Sequence, residues 1–300
     1  MSGNAKSSAD GAEIHDRGYR RYEGARSGVV GAVRSLVWQT IRSILGLGRP
    51  ARHKVFPVIV VVIAALPAVV FLGVALLFRD LGDDSLVNYS DLFGFSVAPI
   101  MIYAAMVAPE ALVRDRRDGM FSLYLSTPLT RPTYVAAKAL AVLAVMMIIA
   151  LGPVLLALVG YTVVGDGPDG VVEWFKVFFR LTAAGLVISA VLAAVSMAGS
   201  SVTDRRAFAS VAVILVIFGG AIVSSILVDA ADFSNTYALL DPMGTAGETA
   251  TRILGESPEQ GGSVSELSDI DTGVVFLGTA AWFAAGAGIV GYKYRKLEAT

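Results

Sequence analysis

The residues able to do chemistry are few and unevenly placed. Glu110, Arg114, Asp115, Arg116, Arg117, Asp118, Arg131 and Lys138 crowd into the stretch EALVRDRRDGMFSLYLSTPLTRPTYVAAK, residues 110–138, between two long apolar segments. There is no cysteine, which excludes disulfides and thiolate metal sites. The two histidines, His15 and His53, both lie in the N-terminal region. No imidazole is therefore available within the apolar segments for a zinc protease site or a proton relay. No G-x-x-x-x-G-K-[ST] occurs, so the chain cannot cradle nucleotide phosphates with a P-loop. Gly165-Asp166-Gly167 and Gly199-Ser200-Ser201 lack the partner residues that an intramembrane protease would need. The reading is a non-enzymatic chain whose charged stretch acts mechanically.

The elements that must position this stretch follow from composition. The 300 residues are 55% hydrophobic and only 16% charged, with a mean hydropathy of +0.67. Soluble domains carry about a quarter charged residues. The apolar residues gather in runs of about the 20 that a helix needs to cross a bilayer. The fold class is an all-α polytopic membrane protein with six transmembrane helices, over about 55–78, 92–112, 131–164, 178–200, 208–228 and 274–292. The third would be roughly 50 Å long at 1.5 Å per residue, longer than the ~30 Å hydrocarbon core. Its first turns should project beyond the membrane, or Gly152-Pro153 should break it. Ionisable residues, which ion-coupled carriers place at mid-membrane, are nearly missing from the spans.

Residues 1–27 carry Ser, Gly, Ala and charge without periodicity and read as a disordered tail. No cleavable leader is visible there, so the first span is expected to serve as the targeting signal. Over 28–47, Val30, Val33, Val37, Ile41 and Ile44 make one apolar face. Such a helix can lie in the membrane interface or pack on a soluble partner. Residues 28–300 then form one membrane domain.

Orientation follows from Lys and Arg. The segments on the N-terminal side of the membrane, 1–54, 112–138 with Glu110, 198–207 and 292–300, hold 20 of the 24 basic residues and 9 of the 25 acids. The positive-inside rule places both termini in the cytosol. The opposite side keeps four bases against sixteen acids. Its longest segment, the extracellular loop 229–273, has nine carboxylates and one arginine, without the spacing of a calcium loop. It is expected to be a solvated acidic loop, with a short surface helix over 243–254.

Within 110–138, Met120, Leu123 and Tyr124 fall at helical spacing, and Ser126-Thr127-Pro128 breaks the segment, because a residue before proline avoids the α region. Thr130 and Pro132 start the next helix, and Lys138 anchors it near the headgroups. This gives a compact element tied at each end to a span. Glu110, Arg114-Asp115-Arg116-Arg117-Asp118-Gly119, Leu123, Leu125-Ser126-Thr127-Pro128-Leu129-Thr130-Arg131 and Lys138 resemble the motif of type-2 ABC transporter permeases. Met120-Phe121-Ser122 departs from it, standing where Thr-Leu-Glu is commoner.

The resemblance implies that residues 114–126 carry a cytosolic coupling helix docking on a separate ATP-binding subunit. Glu110, Arg114 to Met120, Leu123, Tyr124, Ser126, Pro128, Arg131 and Lys138 would be the contact and bracing residues. It also implies a homo- or heterodimer with a second permease subunit, export, and a plasma-membrane location. ATP and Mg²⁺ would sit on the partner, with no cofactor in this chain and no nucleic acid as partner. From the residues alone, a non-transporting scaffold or sensor that holds a soluble cytosolic partner is the alternative.

Overall fold

A computed structural model describes residues 24, 28–48, 50–78, 89–256 and 265–296. The tail expected over 1–27 lies outside the described residues except Gly24, as do 79–88 and 257–264 of the connecting segments. The described secondary structure is helical throughout, with six helices long and apolar enough to cross a membrane.

Helix α1 (Gly28–Ile44) packs against the third span and buries Leu36, Thr40 and Ile44. Val33, Val37 and Ile41 of the expected apolar face are partly buried, but Val30 is 80% exposed. The buried stripe is thus turned towards Thr40, because α1 meets a helix there.

The spans are α2 (Arg52–Phe78), α3 (Tyr89–Ala108), α6 (Arg131–Val164), α7 (Gly170–Val202), α8 (Arg206–Ser225) and α11 (Thr272–Lys296). Pro109 does not end the second span. A proline lacks the N–H that an α-turn needs and its ring crowds the preceding carbonyl. Here the chain widens into a π-turn, Pro109–Val113, and continues as α4 (Arg114–Arg117). The apolar helix therefore runs from Tyr89 to Arg117, beyond the expected 92–112 at both ends. Gly119, at φ +65°, turns the chain sharply into α5 (Met120–Leu125), a conformation costly for a residue with a side chain.

Helix α6 runs unbroken for 34 residues through Gly152-Pro153, so of the two expectations for its length the break does not occur. Thr130 starts it, with its backbone N–H donating to Thr133 Oγ1 at 2.8 Å. Its first two turns bury Tyr134, Ala137 and Lys138, Tyr134 and Lys138 of these against α4 and α5. Helix α7 begins eight residues before the expected 178, where Trp174 stacks on Phe178 and donates to Thr162 Oγ1 at 3.0 Å.

Helix α7 is the centre of the bundle, packed against α3, α6, α8 and α11. In its most apolar window 72% of residues are buried, against 22% for each of α2, α8 and α11, whose remaining faces suit lipid or another chain. Small residues permit the close approach at the centre: a Cβ on Gly286 of α11 would lie 2.7 Å from the Ala194 backbone of α7.

The segment 229–273 differs most from expectation. It forms a 3₁₀ turn (Asn235–Leu240), α9 (Pro242–Leu254) and α10 (Ser265–Ser268). Helix α9 forms where a surface helix was expected, but it is buried among α7, α8 and α11, with Met243, Ala246, Glu248, Thr249, Ala250 and Leu254 inside. The described part of this segment is therefore no simple solvated loop. Its threonines and small residues present one apolar face that packing completes, which charge counting over the whole segment conceals.

Candidate functional site

Two charged clusters lie at opposite ends of the bundle. The first is formed by α4, α5, the start of α6 and the last turns of α7 and α11. Asp115 points inward from α4 and is 9% exposed. Lys138 Nζ lies 2.6 Å from Asp115 Oδ2, and the Tyr134 hydroxyl donates to the same oxygen at 2.9 Å. The Lys138 ammonium also sits 5.7 Å from the ring centroids of Tyr124 and Tyr134, within cation–π range. Burial, then the Asp115 charge, push the Tyr124 phenol up from its ordinary pKa, keeping it neutral.

Arg116 faces the other way, onto the C-terminus of α7. It donates to the carbonyls of Ser201 at 2.8 Å, Thr203 at 2.6 Å and Ser200, and pairs with Asp204 at 3.3 Å. The last carbonyls of a helix lack intrahelical partners and carry its negative dipole end, so a guanidinium is well matched there. Glu110 pairs with Arg206 of α8 at 2.7 Å and with Arg114 at 3.4 Å, and Arg114 reaches Asp118 at 3.5 Å. Arg131 donates to the Arg295 carbonyl at 3.2 Å, bringing the start of α6 to the end of α11.

The structure thus separates the sequence-derived residues into two groups. Glu110, Asp115, Arg116, Arg131 and Lys138 make bonds within the chain, bracing α4 to α6 and α7, the π-turn to α8, and α6 to α11. Arg117, Asp118, Gly119, Leu123, Ser126 and Pro128 are exposed, with Met120 and Tyr124 half-buried and Arg114 exposed while paired. Helix α5 has no buried residue, and Leu123 is 57% exposed. Sequence reasoning missed Tyr134, Tyr294, Arg206 and the α7 carbonyls. Tyr134 carried a signal, since it stands four residues before Lys138 on the same helix face. The others come from distant segments and carried none. Phe121 and Tyr134 both pack against Tyr294, with centroids 6.1 Å away in each case, closing the cluster with an aromatic floor.

The second cluster surrounds α9. Glu248, fully buried, pairs with Arg252 at 2.7 Å. Arg252 also donates to the carbonyls of Leu267 and Ile270, both at 2.8 Å, and to Thr272 Oγ1 at 2.9 Å. Arg180 of α7 donates to the Leu254 carbonyl at 3.2 Å. Glu256 accepts from the backbone N–H groups of Tyr89 at 3.1 Å and Ser90 at 2.9 Å, capping the N-terminus of α3. Asp241 caps α9 through the Met243 N–H at 2.9 Å, while burial raises its carboxyl pKa.

A cavity of about 500 Å³ opens beside the first cluster, between α1, α2, α3 and α8. A second, of about 270 Å³, lies between α1 and α4, with Lys138 and Tyr124 in its wall. Among the described residues no group of three or more His, Asp or Glu is arranged to hold a metal.

No curated protein matches the chain. The family described as ABC-2 family transporter protein matches it over residues 80–287, a range that holds the 110–138 stretch, the α9 cluster, spans two to five and most of the sixth. Six apolar helices and a match over more than two thirds of the 300 residues lead to one conclusion: the chain belongs to the ABC-2 family of transporter membrane proteins.

Proposed function

We propose that this protein is the permease subunit of an ATP-driven exporter, with α5 as the coupling helix that docks on a separate ATP-binding subunit. The observation that carries this reading is the pairing of an exposed helix with a buried brace. Helix α5 offers Leu123 and the half-buried Met120 at its surface, flanked by Arg117 and Asp118. Behind it, the Asp115–Lys138–Tyr134 cluster and the Arg116 contacts tie α4 to α6 and α7. A push on α5 would therefore reach two long spans through short bonds rather than through a yielding loop.

In this reading ATP and Mg²⁺ belong to the partner, and this chain supplies no catalytic group. By the same reading the excess of basic residues at the α5 end marks the cytosolic side under the positive-inside rule, with both termini in the cytosol and the protein in the plasma membrane. Helix α1 lies at that interface. A second permease subunit covers part of the exposed faces of α2, α8 and α11.

The test is association. A protein with a Walker A motif should co-purify with the wild-type chain from its native membranes. The combination Arg117→Ala, Asp118→Ala and Leu123→Asp alters exposed positions only and should abolish that association while membrane insertion is retained. Undiminished co-purification with the triple variant would falsify the role given to α5.

A further inference from the structure

We infer that the cavity between α1, α2, α3 and α8 is a binding site for a membrane phospholipid, held by its phosphate. The cavity measures about 500 Å³, within the roughly 300–1,000 Å³ of typical ligand sites. Its wall is mixed. Phe56, Tyr103, Met106 and Val107 supply apolar lining, while Arg114, Arg117 and Arg206 supply basic lining, with Glu110 and Asp118 also in the wall.

The charges do not cancel. Glu110 is engaged by Arg206 and Arg114, and Asp118 by Arg114. Arg117 makes no ion pair among the described residues, so the wall carries a surplus positive charge. An anion supplies the missing partner, and guanidinium groups match phosphate oxygens in geometry as well as charge.

A second observation points to a ligand. Tyr103 is 1% exposed, and its hydroxyl has no hydrogen-bond partner among the described residues. A buried hydroxyl without a partner costs free energy. Its ring is held parallel to that of Phe56 with centroids 6.0 Å apart. Tyr103 lines the cavity, so a ligand oxygen that reached its hydroxyl as the ring shifted would accept from it.

Position selects the source of the phosphate. Phe56 and Pro57 lie in the first turns of α2, Arg206 is the first residue of α8, and Glu110 lies in the π-turn at the end of the second span. The cavity is therefore at the depth where apolar spans give way to headgroups, and basic pockets between helices at this level suit anionic lipid headgroups. The apolar lining would take the upper part of an acyl chain, which a free phosphate compound lacks.

The experiment measures binding of fluorescent phosphatidylglycerol to the purified full chain in detergent, without any ATP-binding subunit. Lipid occupancy is thus scored independently of α5 docking. Saturable binding is expected, weakened about tenfold by Arg117→Gln, the loss of one charge-assisted contact. Tyr103→Phe removes one oxygen and should weaken binding severalfold, while inorganic phosphate and glycerol phosphate should not compete. Binding indifferent to both substitutions would mean unspecific lipid around the spans and would overturn the site. Competition by inorganic phosphate at a concentration comparable to that of the lipid would assign the site to a soluble anion and overturn the lipid.

Discussion

The two charged clusters are built from the same parts and used differently. At the α9 end, Arg252 and Arg180 spend their donors on carbonyls of the chain itself, and Glu248 is sealed from solvent. At the α5 end, Asp115, Arg116 and Lys138 are equally engaged, yet they stand directly behind a helix with no fully buried residue. One cluster closes a structure; the other holds a surface in place. Charge density alone does not separate these roles. The difference is whether an exposed element is attached to the buried pair.

Substitutions can break that comparison, and the largest effect is expected at the closed end. Arg252→Ala leaves a fully buried Glu248 unpaired and frees several carbonyls, so it should cost the upper part of the range of about 3–5 kcal/mol seen when one partner of a buried ion pair is removed. Thermal unfolding in detergent would register the loss. A wild-type midpoint would show that α9 is held by apolar packing alone.

At the other end, Asp115→Ala strands the Lys138 ammonium and should cost about 3 kcal/mol. The double variant Asp115→Ala, Lys138→Met should regain most of it, because no charge is then left buried. Failure of that rescue would show that the Tyr134 hydrogen bond, lost in both variants, holds α4 to α6. Arg116→Ala should cost less, about 1.5–3 kcal/mol for hydrogen bonds from a charged group. It removes a cap that solvent can partly replace, since Asp204 beside it is exposed.

The smallest stability change belongs to α5. Leu123→Asp should shift stability by no more than about 0.5 kcal/mol, because the side chain is exposed. It should nonetheless weaken association with the ATP-binding subunit. A large loss of stability on this substitution would mean that α5 is packed inward and is no docking surface.

Much of this protein was legible in its residues. Runs of about 20 apolar residues fix helices and their number, because a bilayer requires every backbone polar group to be satisfied within the segment. The motif from Glu110 to Lys138 pointed to the family before the fold was known. Less legible was the orientation of each side chain. Asp115 and Asp118 are three residues apart and identical in type, yet one is buried against Lys138 and the other exposed. Their difference depends on the π-turn at Pro109 and on Gly119, which set how α4 meets α6.

The sequence by itself determined the class, the six spans and the segregation of charge, since each follows from the transfer of a segment between water and lipid. Tertiary structure decided which charges became internal bonds. It also decided that Pro242–Leu254 would be buried and that Arg117 and Tyr103 would line one cavity. Those outcomes depend on helices meeting at particular faces, and residues such as Arg116 and Ser201, or Arg180 and Leu254, find each other only through packing.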